Sequence, residues 1–112
     1  MSDQSMFKNQ RQENRVEMNL PIQLSFGSQI TLQGRLKDIS LKGAFVKIRD
    51  SVYMQENDEL NFAIQRSSDN TEDAVHGSAR ISRIAKGEGI AIYFTKMDEA
   101  SSTRLKKWVD LK

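Results

Sequence analysis

Arg11-Gln-Glu-Asn-Arg15 sets two guanidinium groups four positions apart, and Asp38-Ile-Ser40-Leu-Lys-Gly43 gathers a carboxylate, a hydroxyl and a glycine in one short stretch. An arginine offers paired donors to a phosphate or to O6 and N7 of guanine, and its flat face stacks on a base. A carboxylate accepts from guanine N1–H and from the N2 amino group. A serine hydroxyl binds a phosphate or a base edge, and a glycine permits a tight turn and close backbone approach. Each motif also has a plain structural reading when taken alone. The arginines would be solvated beside Glu13, and Asp38 and Ser40 would cap backbone groups in a turn.

Other chemistry finds little support. The single histidine, His76, falls on the polar face of an alternating segment and reads as a surface residue. No cluster of histidine, cysteine or carboxylate has metal-ligand spacing. No serine sits in a nucleophile elbow. Gly87-Glu88-Gly89 begins like a dinucleotide fingerprint, but a strand pattern follows it where a helix is needed, so it reads as a hairpin turn. The acidic pairs Asp58-Glu59 and Glu72-Asp73 lie in or beside expected turns. An enzyme is the least supported class, and no cofactor is expected.

The whole-chain properties agree with a small binding domain. The 112 residues suit one domain, 38% are hydrophobic and 29% charged. Seventeen basic side chains face fifteen acidic ones, a net charge of +2. That field is too weak to indicate DNA as a partner, so any anion must be drawn by a local cluster. The absence of cysteine removes disulfides and thiolate chemistry. Neither a signal peptide nor a membrane-spanning run is visible, and a cytoplasmic location is expected.

The elements that would position the motifs are mostly strands. Residues 1–14 are polar apart from Phe7 and two methionines, and read as a mobile arm. Residues 15–112 form the folded domain. Val16, Met18, Leu20, Ile22, Leu24 and Phe26 alternate with mainly polar residues, which predicts one long half-buried strand. Pro21 on its polar face demands an edge or a bulge. Ile30, Leu32 and Leu36 continue the inward face after a Gly27-Ser28 turn. The register then breaks, because Asp38 stands where an apolar residue is due and Ile39 and Leu41 take the other parity. One extra residue near Lys37-Asp38, as in a bulge, accounts for this, as does a simple strand end. Further strands are expected at Ala44–Ile48, Leu60–Ile64, Val75–Ile81 and Ile90–Phe94, with a polar loop from Ser67 to Asp73. Asp98-Glu99 opens a helix carrying Leu105, Trp108 and Val109, with its acids first and its bases later, as the helix dipole favours. About six strands at hairpin spacing favour an antiparallel barrel or sandwich.

Taken in order, the two motifs resemble the signature of the PilZ domain family, Arg-x-x-x-Arg followed by (Asp/Asn)-x-Ser-x-x-Gly. Gly89-Ile-Ala-Ile-Tyr-Phe94 is similar to that family's last strand, with Ala91 where a second glycine is frequent. The resemblance covers about residues 8–110. It implies an all-β fold with a C-terminal helix, a six-stranded antiparallel PilZ-type β-barrel. It also implies cyclic di-GMP as the ligand. Arg11 and Arg15 would hold guanine and phosphate groups, Asp38 and Ser40 would contact a guanine edge, and Gly43 would shape the loop. The function implied is that of a receptor that changes shape on binding and signals to a protein partner. Two alternatives stay open: an interaction module of the same fold that binds no nucleotide, and an oligonucleotide-binding barrel. The latter usually displays aromatics for stacking, for which Phe45, Tyr53 and Tyr93 are the candidates here.

Overall fold

A computed structural model describes residues 15–27, 30–49, 54–66 and 74–110. The expected arm with Arg11, Tyr53 and the loop from Ser67 to Asp73 lie outside the described residues. Among the described residues the elements are β1 (Val16–Glu17), β2 (Pro21–Phe26), β3 (Ile30–Ile39), β4 (Gly43–Lys47), β5 (Glu59–Gln65), β6 (Ala74–Ala85), β7 (Gly89–Met97) and the helix α1 (Glu99–Asp110). All pairings are antiparallel, in the order β1-β3-β2-β5-β6-β7-β4, and a further β3–β4 pairing closes the ring. Because β1 and β2 lie end to end along the same side of β3, seven strands fill six positions of a closed barrel.

The long first strand expected from the sequence is interrupted. Glu17 faces Asp38 and Pro21 faces Arg35, so residues 18–20 stand against only 36 and 37. The extra residue makes a local kink, which the Leu20 N–H to Met18 carbonyl bond of 3.1 Å stabilises. Pro21 then opens β2, and pairing with β5 starts one residue later at Ile22. The missing N–H thus falls at a strand start, where it costs no ladder bond. The alternation survives the kink, with Val16, Ile22 and Leu24 buried and Met18 and Leu20 packed partly against the core.

The second expected irregularity is a true bulge. Leu36 pairs with Val46 and Asp38 with Phe45, which leaves Lys37 as the extra residue. Two inward assignments are corrected. Ile30 is 40% exposed and Leu41 50% exposed. Ile30 pairs with Phe26 at the end of β2, but it lies beyond the reach of β4 along β3 and past the last β2–β5 pair, so the barrel is open around it. Leu41 sits in the turn after β3, where the buried position is taken by Ser40.

The barrel interior is filled by Leu24, Leu36, Val46, Ile64, Ile81 and Ile90, among others. Helix α1 packs on β6 and buries Leu105, Trp108 and Val109. Burial of each such side chain stabilises by roughly 1.5–3 kcal/mol. Asp98 caps the helix: its Oδ1 accepts from the Ser101 N–H at 2.7 Å. Ser101 Oγ in turn accepts from the His76 N–H, and Arg104 donates to the Ala74 carbonyl, so both ends of this contact are tied to β6. Gly87, with φ of +82°, makes the β6–β7 hairpin turn that the Gly-Glu-Gly run predicts.

Candidate functional site

The short strand β1 exists because Val16 is apolar and fits the core, and its pairing to β3 fixes what comes just before it. Arg15 precedes β1, and Glu17 pairs with Asp38. The Arg15 guanidinium therefore reaches Asp38. Its Nη2 donates to Asp38 Oδ1 at 2.9 Å and its Nε to the same oxygen at 3.2 Å. The Arg15 side chain is 43% exposed and that of Asp38 22%. The two signature motifs, 23 positions apart at these residues, thus meet on the barrel wall. Arg11, the other arginine of the first motif, lies outside the described residues.

Ser40 and Gly43 shape the turn from β3 to β4. Ser40 is fully buried. Its Oγ accepts from the Lys42 N–H at 3.1 Å and the Gly43 N–H at 3.2 Å, and lies 3.3 Å from the Gly43 carbonyl, to which it donates. The Ser40 N–H donates to that same carbonyl at 2.8 Å. The hydroxyl thus satisfies backbone groups that a buried turn would otherwise leave bare. Gly43 answers a different need. It lies opposite Tyr93 on β7, and a β-carbon there would run into the Ile92 carbonyl.

Asp38 belongs to a row of residues that register places side by side on the outer wall. Glu17, Asp38, Phe45, Ala91 and Arg83 follow one another across β1, β3, β4, β7 and β6. Their chain neighbours Ile39, Ala44 and Ile92 are buried, which fixes the row as outward-facing. Phe45 is half-buried, with Lys37 Nζ 5.7 Å and the Arg83 guanidinium carbon 6.0 Å from its ring centre. Sequence reasoning identified Phe45 as an outward aromatic but did not single out Arg83. The available signal was Ser82-Arg83, two polar residues in succession between Ile81 and Ile84, which break period two as a bulge does. Tyr93, the other described candidate, is 40% exposed.

The arrangement suits a planar, anionic ligand with donor groups on one edge. A guanidinium and a carboxylate stand together, cations lie nearby, and an aromatic ring is beside them. Among the described residues no three metal-ligating side chains are grouped, and no helix is long and apolar enough to cross a membrane.

Comparison with known proteins bears on the same fold. No curated protein sequence matches the chain. Among solved structures, the Bacillus subtilis inhibitor of motility MotI (DgrA) is similar with a TM-score of 0.74 and 19% identity, over 90% of this chain and 49% of that one. This chain therefore spans about half the length of MotI. The PilZ domain of YcgR from Escherichia coli, solved with c-di-GMP, gives a TM-score of 0.69 and 18% identity, over 90% and 89% of the two chains. The PilZ domain of CeSA from a cellulose-synthesising bacterium gives 0.65 and 21%, over 86% and 94%. The family model for the PilZ domain matches residues 9–111. That match takes in both motifs and every described strand, and the chain belongs to the PilZ domain family.

Proposed function

We propose that the chain is a cytoplasmic receptor for cyclic di-GMP that passes the binding event to a protein partner. The observation that carries this reading is the convergence of Arg15 and Asp38, one residue from each signature motif, on one patch of the barrel wall. Family membership supports it, as does the likeness to a PilZ domain that was solved with c-di-GMP. In this reading the chain acts by binding and carries no catalytic step.

The roles follow from chemistry. Asp38 accepts from guanine N1–H and N2, a pairing of two donors with one carboxylate. Arg15, with Arg11, donates to a phosphate or to guanine O6 and N7. Ser40 and Gly43 hold the turn that follows Asp38. A contact between the Ser40 hydroxyl and a guanine edge would require that turn to open. The Arg15–Asp38 pair is partly solvated, and such pairs contribute about 0.2–1 kcal/mol. A hydrogen bond to a charged group contributes about 1.5–3 kcal/mol. Binding exchanges this pair for contacts of the same charge-assisted kind, and parting of the pair is the first local change of shape.

Equilibrium dialysis against labelled cyclic di-GMP tests the reading. Saturable retention that unlabelled ligand displaces supports it; no retention at ligand concentrations well above micromolar refutes it.

A further inference from the structure

Two bulges on different strands deliver two cations to one aromatic ring. On β3 the bulge residue is Lys37 itself, between Leu36 and Asp38. On β6 the register shifts between Ile81 and Arg83, with Ser82 as the extra residue. A bulge re-aims the side chains beside it. Here both re-aimed cations, Lys37 and Arg83, stand within 6.0 Å of the centre of the Phe45 ring. Ala91 lies between Phe45 and Arg83 in the outward row, and its small side chain leaves the space over which Arg83 reaches.

Three other arginines of the barrel are already engaged. Arg15 is paired with Asp38, Arg80 with Glu59, and Arg35 is hydrogen-bonded to Asn19. Among the described residues Lys37 and Arg83 have neither a carboxylate partner within 4.0 Å nor a side-chain hydrogen bond; Phe45 is their contact. Lys37 and Phe45 also border a cleft of about 750 Å³, whose wall carries Arg35, Lys47 and Arg49 against one carboxylate, Glu88. That volume lies in the range of small-molecule sites. Uncompensated positive charge around an apolar, aromatic surface fits a ligand that is both flat and anionic.

We propose that Phe45, Lys37 and Arg83 form a second subsite, continuous with Asp38 in the outward row, that takes the distal guanylate half of the dinucleotide. The base takes the place over Phe45 that the cations occupy in the free protein, and Lys37 and Arg83 swing outward to hold the adjoining phosphate. This rests on the reading of the chain as a cyclic di-GMP receptor. It explains how a ligand with two bases is gripped at both ends by a site whose signature motifs account for one.

Calorimetric titration of cyclic di-GMP into the full chain separates the two ideas. The set is wild type, Phe45→Leu, Arg83→Gln, Lys37→Gln and, as a control of equal charge change, Lys107→Gln on α1. Arg83 and Lys37 are exposed, so their variants keep the fold even where Phe45→Leu does not; thermal melting checks each. The subsite predicts roughly tenfold weaker binding for Phe45→Leu and Arg83→Gln, a smaller loss for Lys37→Gln, and a change under twofold for Lys107→Gln. Wild-type affinity in Arg83→Gln and Lys37→Gln, with binding intact in the native chain, overturns the subsite and leaves the receptor reading standing. Equal loss in Lys107→Gln overturns it too, since net charge alone then explains the effect. No binding by the wild type defeats the receptor reading and the subsite with it.

Discussion

Gly43 on β4 lies directly opposite Tyr93 on β7, and the backbone there is so close that a β-carbon on Gly43 would overlap the Ile92 carbonyl. The obstacle is main chain, which cannot rotate away as a side chain does. The glycine of the second motif is therefore a requirement of barrel closure before any ligand arrives.

Gly43→Ala is expected to destabilise the free protein by about 1–3 kcal/mol, the usual range for overpacking. Urea denaturation without ligand measures it. A midpoint equal to that of the wild type would mean that β4 and β7 separate at little cost. Gly87 offers a comparison, because nothing lies within 4 Å of its added β-carbon and only its positive φ resists substitution.

Ser40→Ala removes the acceptor for the Lys42 and Gly43 N–H groups. Leaving a buried donor without a partner costs about 1–3 kcal/mol, so this variant too should unfold at lower urea with no ligand present. Arg15→Ala, which breaks a half-exposed pair, should shift the same midpoint far less. The contrast separates the residue that builds the turn from the residue left facing outward, and equal shifts would erase that distinction.

The cap of α1 makes a pH prediction. The Asp98 carboxyl is held below its ordinary value of 3.8, first by the hydrogen bond from the Ser101 N–H, then by the Ser101 side chain and the nearby charges of His76 and Arg104. Its pKa is thus lower in the folded state than in the unfolded one. The cap's contribution is complete above the unfolded value and fades as pH falls through the folded one. Asp98→Ala should melt at a lower temperature than wild type at neutral pH, and the gap should close in strong acid. Asp98→Asn keeps a good capping residue without the charge and should show a flatter response below pH 4. A wild-type-to-alanine gap that stays constant down to pH 2 would exclude the carboxylate as the cause.

Period-two alternation revealed most of the barrel, because each strand has one face against the core and hydrophobic residues report that face directly. It also marked the register break at Asp38, which stood where an apolar residue was due, but a bulge and a strand end read alike there, and only the β3–β4 pairing separates them. The split after Glu17 escaped notice because the extra residue, within 18–20, kinks the strand while Met18 and Leu20 still turn toward the core. Ile30 and Leu41 were misplaced for a related reason: parity says which way a side chain points, but not whether another strand is there to cover it. At the site, the spacing of Arg15 and Asp38 in the sequence says nothing of their meeting, which depends on the pairing of β1 with β3. The neighbours of Phe45 were harder still, being set by register across four strands.

Guanine selection follows from the donors and acceptors at the site. Adenine has an amino group where guanine has O6, and it lacks the N2 amino group that Asp38 would accept from. A polar group left unmatched when the ligand covers it costs about 1–3 kcal/mol, so cyclic di-AMP should compete at least about fivefold less well than cyclic di-GMP in a displacement assay. Equal competition would reduce the site to a general phosphate binder.

The central claim is that Arg15 and Asp38 together bind cyclic di-GMP, and calorimetric titration of the wild type beside Arg15→Ala tests it most directly. Loss of a charge-assisted contact of about 1.5–3 kcal/mol weakens binding by at least tenfold. The account predicts saturable binding by the wild type and that loss, or none detectable, in a variant that still melts cooperatively. A variant that binds with wild-type affinity would contradict it, and would move the site away from the place where the two motifs meet.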